Sequence, residues 1–364
     1  MTLRMVEGFD WIPSGATNTQ YQQAFAAAGW YQEGSDVTTP TGGPPRFTGQ
    51  SLLLNINSVP YGAMPYLQRS ALNVSMTEGY VGLALNIDIS NQLITKIALI
   101  DPVANLPQIT VVLSPGGTVS ACCGGPESPV NVIGTAVPGA YYNNVWFYME
   151  IHLKVGTGGS GSLEVKINGV PIITATGVNT QATANATFGG LRLWQEQNSY
   201  ATGKFYVDDV YMCDTAGSVN NGYLGNCRVI TQFPASNGGT IQFTPHGASS
   251  NWQAANNLLM DDTSYNSAGT AGYEDLYGVA ALLGSNNIKG VQIRGVYRQD
   301  DSTQVYAKNL VSSSGTLFQG ANVGLSQSYA AQYDILETDP HTSAGWTAAA
   351  VNAMQIGPKV QSIG

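Results

Sequence analysis

Charge is what this chain has least of. Only 10% of its 364 residues are Asp, Glu, Lys or Arg, against roughly a quarter in an average soluble domain. The 14 Lys and Arg form no cluster, and 23 Asp and Glu bring the formal net charge to −9. That balance excludes the basic footprint of a nucleic-acid-binding surface and disfavours anionic membranes. Long apolar runs are missing as well. None approaches the roughly 18–20 residues of a membrane-spanning helix, so no membrane insertion is expected. Residues 1–15 lack the apolar core of a secretory signal. Cysteine is scarce: Cys122, Cys123, Cys213 and Cys227. No C-x-x-C occurs and no His stands near a Cys at zinc-ligand spacing. The vicinal pair cannot easily bridge to itself. A reducing compartment then predicts free, mostly buried thiols, with a Cys213–Cys227 bridge as the alternative.

What is present is Gly, at 43 residues, and alternating β-branched and aromatic runs between Gly, Pro and Asn clusters. Runs at 51–56, 80–89, 96–100, 108–113, 146–155, 162–167, 190–194 and 204–213 read as short strands. Such spacing argues for a sandwich or jelly roll. In the run VWFYMEIHLKV, Phe147, Met149, Ile151 and Leu153 share one face, and Tyr148, Glu150, His152 and Lys154 the other. It predicts a strand with a dry inner face. Asn168-Gly169 is a strong two-residue hairpin signal. A second block of strands is expected at 227–232, 239–243, 288–298, 305–312, 316–322 and 329–337. A short helix is expected at 346–354, behind Thr342 or Ser343. Residues 19–30 are Ala-rich and read as helix or loop. The polar stretch DTAGSVNNGYLGN reads as a connection, giving domains at 1–215 and 223–364 with a linker at 216–222.

Several segments resemble a known family: VEGFDW, LEVKINGVPIITATGVNTQATANATFGGLRL, DDVYMCDTAGSVNNGYLGNCRV and ETDPHTSAGWTAAAVNA. Over nearly the whole chain the sequence is similar to tailed-bacteriophage virion structural proteins. These carry a concanavalin A-like (laminin G-like, lectin/glucanase) domain. The resemblance implies an all-β protein, a concanavalin A-like jelly-roll sandwich followed by a smaller β-sandwich domain. It implies a non-enzymatic virion structural protein, tail-associated as a tail fibre or a baseplate/tail-tip component, with host-glycan recognition. A capsid head-decoration protein is the alternative, and a polysaccharide-degrading virion enzyme the second. Implied partners are other virion proteins, copies of itself and a host surface glycan. The implied location is the virion surface, after assembly in the host cytoplasm and release by lysis.

Catalytic signals are weak. Retaining glycoside hydrolysis needs two carboxylates about 5–5.5 Å apart, and the E-x-D-x-E strand pattern of sandwich glucanases is missing. Glu150 and Glu164 each stand alone on their strands. GTGGSG at 156–161 is followed by a strand rather than a helix, so it reads as a hairpin loop and not as a dinucleotide site. His152, His246 and His341 are far apart. No catalytic residue and no required cofactor is predicted. In sandwiches of the resembled kind the first and last strands lie side by side, and some hold a structural ion at that seam. Glu7, Asp10 and Asp208 are the candidate calcium ligands there; the alternative is carboxylates capping backbone amides. Asp208 and Asp209 point to opposite faces unless a bulge intervenes. Sugar sites want exposed aromatics beside Asn or Asp. Three sets qualify: Tyr141, Tyr142 and Asn144; Trp194 with Asn198 and Tyr200; and Trp252 beside Asn251 and Asn256. Each could equally be core or a subunit contact.

Overall fold

Alternation turns these runs into strands, and the strands of the first block pair into two sheets. The computed structural model describes residues 2–33, 40–56, 66–70, 75–89, 93–127, 129–135, 138–197, 203–260, 262–284 and 287–364. The chain forms two units, Met1–Ile12 with Trp30–Val229, and Pro13–Gly29 with Ile230–Gly364. The first unit contains β1 (Leu3–Glu7), β2 (Trp30–Glu33), β3 (Thr41–Gly43), β4 (Ser51–Ile56), β5 (Tyr66–Ser70), β6 (Glu78–Ile89), β7 (Leu93–Asp101), β8 (Leu106–Ser114), β9 (Thr118–Cys123), β10 (Asn131–Thr135), β11 (Phe147–Lys154), β12 (Gly161–Ile167), β13 (Val170–Val178), β14 (Gly190–Gln197) and β15 (Gly203–Asp214). The first sheet runs β13-β12-β11-β6-β15-β4-β3, with β1 on β15; the second runs β10-β9-β8-β7-β14-β5-β2. All pairings are antiparallel.

The core lies between the sheets. Val81, Leu83, Met149, Ile151, Val165 and Val207 of the first sheet are fully buried, as are Leu67, Ile97, Leu99, Val111, Leu191 and Leu193 of the second. Each such side chain contributes roughly 1.5–3 kcal/mol by leaving water. The β12–β13 hairpin turns at Asn168 and Gly169, both at positive φ (50° and 81°), the twist that a two-residue hairpin requires. Cys122, Cys123, Cys213 and Cys227 are free thiols, and the first three are buried.

One polar cluster also sits between the sheets. Glu7 of β1 is buried, and its Oε2 accepts from Arg69 Nη1 of β5 at 2.6 Å and from Trp30 Nε1 of β2 at 3.4 Å. Its Oε1 accepts from Trp11 Nε1 at 2.6 Å and from the backbone N–H of Phe9 at 3.1 Å. β1 belongs to the first sheet, β2 and β5 to the second. The pair therefore ties the two sheets together at a point where a lone charge would be untenable.

The second unit contains α1 (Asn18–Ala27), α2 (Asn251–Ala255), α3 (Ala348–Ala353), and β16 (Pro234–Ile241), β17 (Thr244–His246), β18 (Tyr265–Ser267), β19 (Asp275–Val279), β20 (Val291–Tyr297), β21 (Val305–Ser313), β22 (Thr316–Gln319), β23 (Val323–Gly324), β24 (Ala330–Leu336) and β25 (Gln355–Ile363). Its main sheet runs β16-β19-β25-β21-β22 with β23 on β21; β17–β18 and β20–β24 are separate pairs. Ile293, Val311, Leu336, Trp346, Val351 and Met354 form its core. The all-β reading, a jelly-roll sandwich followed by a smaller β domain, holds.

The boundaries differ from those expected. Residues 216–222 are not a linker: the break falls after Val229. The cause is hydrogen bonding of residues 223–229 onto the outer face of the first sheet. Residues 13–29 belong to the second unit, because α1 buries Tyr21, Ala24 and Phe25 and Ala28 O accepts from Tyr333 of β24 at 3.2 Å. Residues 19–30 are largely helix, started by a capping box between Thr17 and Gln20. Residues 227–232 form no strand. α3 begins behind Thr347, whose side chain accepts from Ala350 N, rather than behind Thr342 or Ser343.

Replacing Arg69 by Leu leaves Glu7 buried without its countercharge. Removing one member of a buried pair costs about 3–5 kcal/mol. The Arg69→Leu variant is expected to lose that much in a denaturant titration, and the Glu7→Gln/Arg69→Leu double variant to recover part of it. An unmoved midpoint would show that the pair does not hold the sheets.

Candidate functional site

A sandwich has two outer faces, and this one treats them differently. On the first sheet the face carrying Tyr148, Glu150 and His152 is the polar side of β11, yet Tyr148 and Glu150 are only 1% and 3% exposed. Residues 223–229 cover it. Tyr223 donates to Glu164 Oε2 at 2.6 Å, Leu224 N to the Tyr211 hydroxyl at 3.1 Å, Gly225 N to Glu150 Oε1 at 2.9 Å, and Val229 N to Asp209 Oδ1 at 2.8 Å. Lys166 Nζ sits 3.5 Å from the centre of the Tyr223 ring. Glu150 also accepts from Tyr211 at 2.6 Å. Both glutamates singled out as lone carboxylates are thus engaged as anchors for this segment. Burial works against ionisation of Glu164, but the Tyr223 and Lys166 hydrogen bonds outweigh it and lower its pKa.

The outer face of the second sheet collects cations and aromatic rings. On β14, Leu191 and Leu193 point into the core, so Arg192 and Trp194 point outward. Register places Lys96 of β7 opposite Trp194, and Gln68 and Tyr66 of β5 opposite Arg192 and Trp194. The Arg192 guanidinium lies 4.1 Å from the Tyr66 ring centre and 5.6 Å from that of Trp194. Lys96 Nζ lies 5.7 Å from the Trp194 ring. Arg192 is held in place by Gln68 Oε1 at 2.7 Å and by Asn105 O at 3.0 Å. Lys96 is paired with Glu127. Ala98, Ile100 and Tyr66 pack around Trp194. Trp194 is 5% exposed, and its Nε1–H has no hydrogen-bond partner among the described residues. Buried indole N–H groups ordinarily find an acceptor.

The residues expected to bind sugar do not converge. Trp194 lies on this face; Asn198 and Tyr200 fall outside the described residues. Tyr141 is buried, stacked on Phe147 at 4.9 Å and bonded to Ser114 O at 2.6 Å, so it is core. Tyr142 is exposed. Asn144 takes a positive φ of 57° and reaches Asp88 at 3.3 Å, the role of a turn residue. Trp252 belongs to α2 of the second unit. Lys96, Arg192, Tyr66 and Gln68 escaped sequence reading. Arg192 alone carried a signal, two residues from Trp194 on one strand.

The expected calcium ligands do not form one site. Glu7 faces the interior and is filled by Arg69 and two indoles. Asp10 Oδ1 accepts from Gln50 N at 2.8 Å. Asp208 accepts from Arg46 N at 3.1 Å and Asp209 N at 2.8 Å on the outer face of the first sheet. A bulge does occur at this point of β15: Asp209 has a φ of 53° and bonds Arg46 Nη1 at 3.1 Å. Every one of these carboxylates is met by N–H donors, and a guanidinium beside two of the sites opposes a cation. Among the described residues no group of three or more His, Cys, Asp or Glu is placed to hold a metal. The set does not fit calcium.

No family model matches the chain, and no curated protein does. Solved structures do resemble it. An endo-β-1,4-glucuronan lyase from the fungus Trichoderma reesei is 12% identical, covering 51% of this chain and 91% of its own at a TM-score of 0.39. A marine alginate lyase from Aplysia kurodai is 12% identical, covering 58% and 99% at 0.42. A protein of unknown function with a galectin-like fold from Bacillus subtilis is 14% identical, covering 50% and 88% at 0.34. At such identities no residue role is carried across. These findings correct the expectation of a phage virion structural protein, tail-associated or head-decorating. The neighbours are polysaccharide lyases and a galectin-like protein, and nothing in them points to a virion.

Burial, then the neighbouring Asp209, pushes the Asp208 carboxyl up to about 8. The unfolded value is near 3.9, so the folded state holds this proton more tightly. Its stabilising contribution is complete below about pH 4 and is lost as the pH rises through about 8. Asp208→Asn is expected to flatten that slope in denaturation midpoints measured across this range. An unchanged slope would assign the pH dependence to other groups.

Proposed function

We propose that the outer face of the second sheet binds a saccharide and holds it without chemical turnover. The observation that carries this reading is Trp194: an indole nine-tenths buried, flanked by Arg192 and Lys96, whose N–H has no hydrogen-bond partner among the described residues. A sugar offers what such a ring lacks, an apolar C–H face to stack on and hydroxyl oxygens to accept the N–H. Tyr66 provides a second ring, and Arg192 and Gln68 provide oriented polar groups already fixed by their mutual bond. The reading without turnover is supported by Arg192, which Gln68 and Asn105 hold in place.

Titration with a panel of neutral and acidic oligosaccharides, read by Trp fluorescence and calorimetry, tests it. Trp194→Phe keeps a ring but removes the N–H, and one hydrogen bond is worth about 1 kcal/mol net. Binding is expected to weaken by roughly fivefold. Arg192→Ala is expected to weaken it further. Failure of every oligosaccharide to bind would overturn the reading. Release of reducing ends or unsaturated sugars from any polysaccharide would overturn the non-enzymatic part alone.

A further inference from the structure

Lys96 and Glu127 form an asymmetric pair. Lys96 projects from the middle of the second sheet, and its side chain is 2% exposed; the Glu127 side chain is 38% exposed. The cation is fixed by β7, which is bonded on both sides by β8 and β14. The anion comes from the loop after β9, which leaves the sheet at Gly124 with a φ of 84°. Val130 N closes the loop by donating to Cys123 O at 2.9 Å.

The energetics of the two partners are therefore opposite. A buried ammonium without an anion is strongly disfavoured. A carboxylate already more than a third exposed regains its hydration at little cost when it swings away. Of the two partners, Glu127 is the one that solvent can accommodate apart. We propose that Glu127 is an internal stand-in for an acidic group on the ligand, and that a carboxylate or sulfate of an acidic glycan displaces it from Lys96. This rests on the saccharide-binding reading of the same face and adds the class of saccharide. Exchange of one anion for another is near balance at Lys96, so the sugar's stacking on Trp194 decides the outcome. A neutral sugar provides no replacement charge and leaves Glu127 in place. Arg192, on the other flank of Trp194, adds a second positive charge beside the same ring.

The test compares wild type, Glu127→Gln and Lys96→Gln, each first shown to melt cooperatively. The probes are an oligogalacturonate, a heparin-derived oligosaccharide and a cello-oligosaccharide at one ionic strength. Glu127→Gln is expected to bind an acidic probe roughly tenfold more tightly and the neutral probe unchanged. Lys96→Gln is expected to lose the preference for acidic probes. Preference for the uronate or for the sulfated probe identifies the anion. Glu127→Ala repeats the measurement without an amide near Lys96. Acylation of Lys96, followed by mass spectrometry, provides a readout independent of binding: it should rise in both Glu127 variants and fall when the acidic probe is added. Wild-type binding of a sugar with no change in either Glu127 variant would overturn the stand-in and leave saccharide binding intact. No binding of any probe by any variant would overturn both.

Discussion

The Glu7 carboxylate constrains more than its own surroundings. Four donors from Phe9, Trp11, Trp30 and Arg69 converge on its two oxygens, which matches the capacity of a carboxylate. Arg69 must then point inward. In a strand, neighbours of an inward residue point outward, so Gln68 is placed on the outer face of the second sheet, and Tyr66 shares its side. A one-residue slip of β5 would turn Arg69 to the outer face and Gln68 into the space between the sheets. A buried ion pair is a poor source of net stability but a sharp penalty on the wrong register. Here that penalty also orients the side chain that holds Arg192.

The same logic separates the two outer faces. The first sheet carries Glu150, Glu164, Asp208 and Asp209 outward, with Tyr148 and Tyr211 among them. Left bare, such a face would be ordinary solvated surface. Residues 223–229 close it instead, presenting backbone N–H groups to Glu150 and Asp209 and the Tyr223 hydroxyl to Glu164. These carboxylates thereby anchor the chain's own segment, Glu150 through Oε1, Glu164 through Oε2 and Asp209 through Oδ1. The outward side chains of the second sheet are of another kind, Lys96, Arg192, Gln68, Tyr66 and Trp194, and there the indole N–H has no partner among the described residues. The asymmetry of chemistry between the faces, rather than the sandwich itself, singles out one of them.

Much of the fold was legible because it depends on local pattern. Alternation located β6, β11, β12 and β15, and Asn168-Gly169 located a hairpin. What was not legible depends on register between distant segments. Trp194 stood out by residue type, but its neighbours Lys96 and Tyr66 are about 100 residues or more away in sequence and meet it only through the β7–β14 and β14–β5 pairings. Tyr141, Tyr142 and Asn144 looked like a sugar set because composition cannot tell a ring stacked in the core from one facing water. Glu7 and Asp208 looked like one seam because β1 and β15 do pair; the two side chains leave opposite faces of that pair. The covering of the first sheet had no signature, since a polar Gly/Asn stretch reads as a linker whether or not its amides find carboxylates.

Scarcity of charge explains how the remaining cations are used. Arg46, Arg69, Arg192, Arg228, Arg298, Lys96 and Lys166 all lie over aromatic rings. A desolvated cation over a ring is worth about 2 kcal/mol, against about 0.5–1 when exposed. Such contacts also fix a long side chain that would otherwise lose entropy on binding. At physiological salt, charges separated by more than about 8 Å are largely screened, so a net-negative chain repels an anion only weakly from afar. Selection at Lys96 and Arg192 is therefore a contact effect. Each cation sits in a low-dielectric setting with its ring partner in place, and an arriving anion gains most where it can reach both flanks of Trp194 at once.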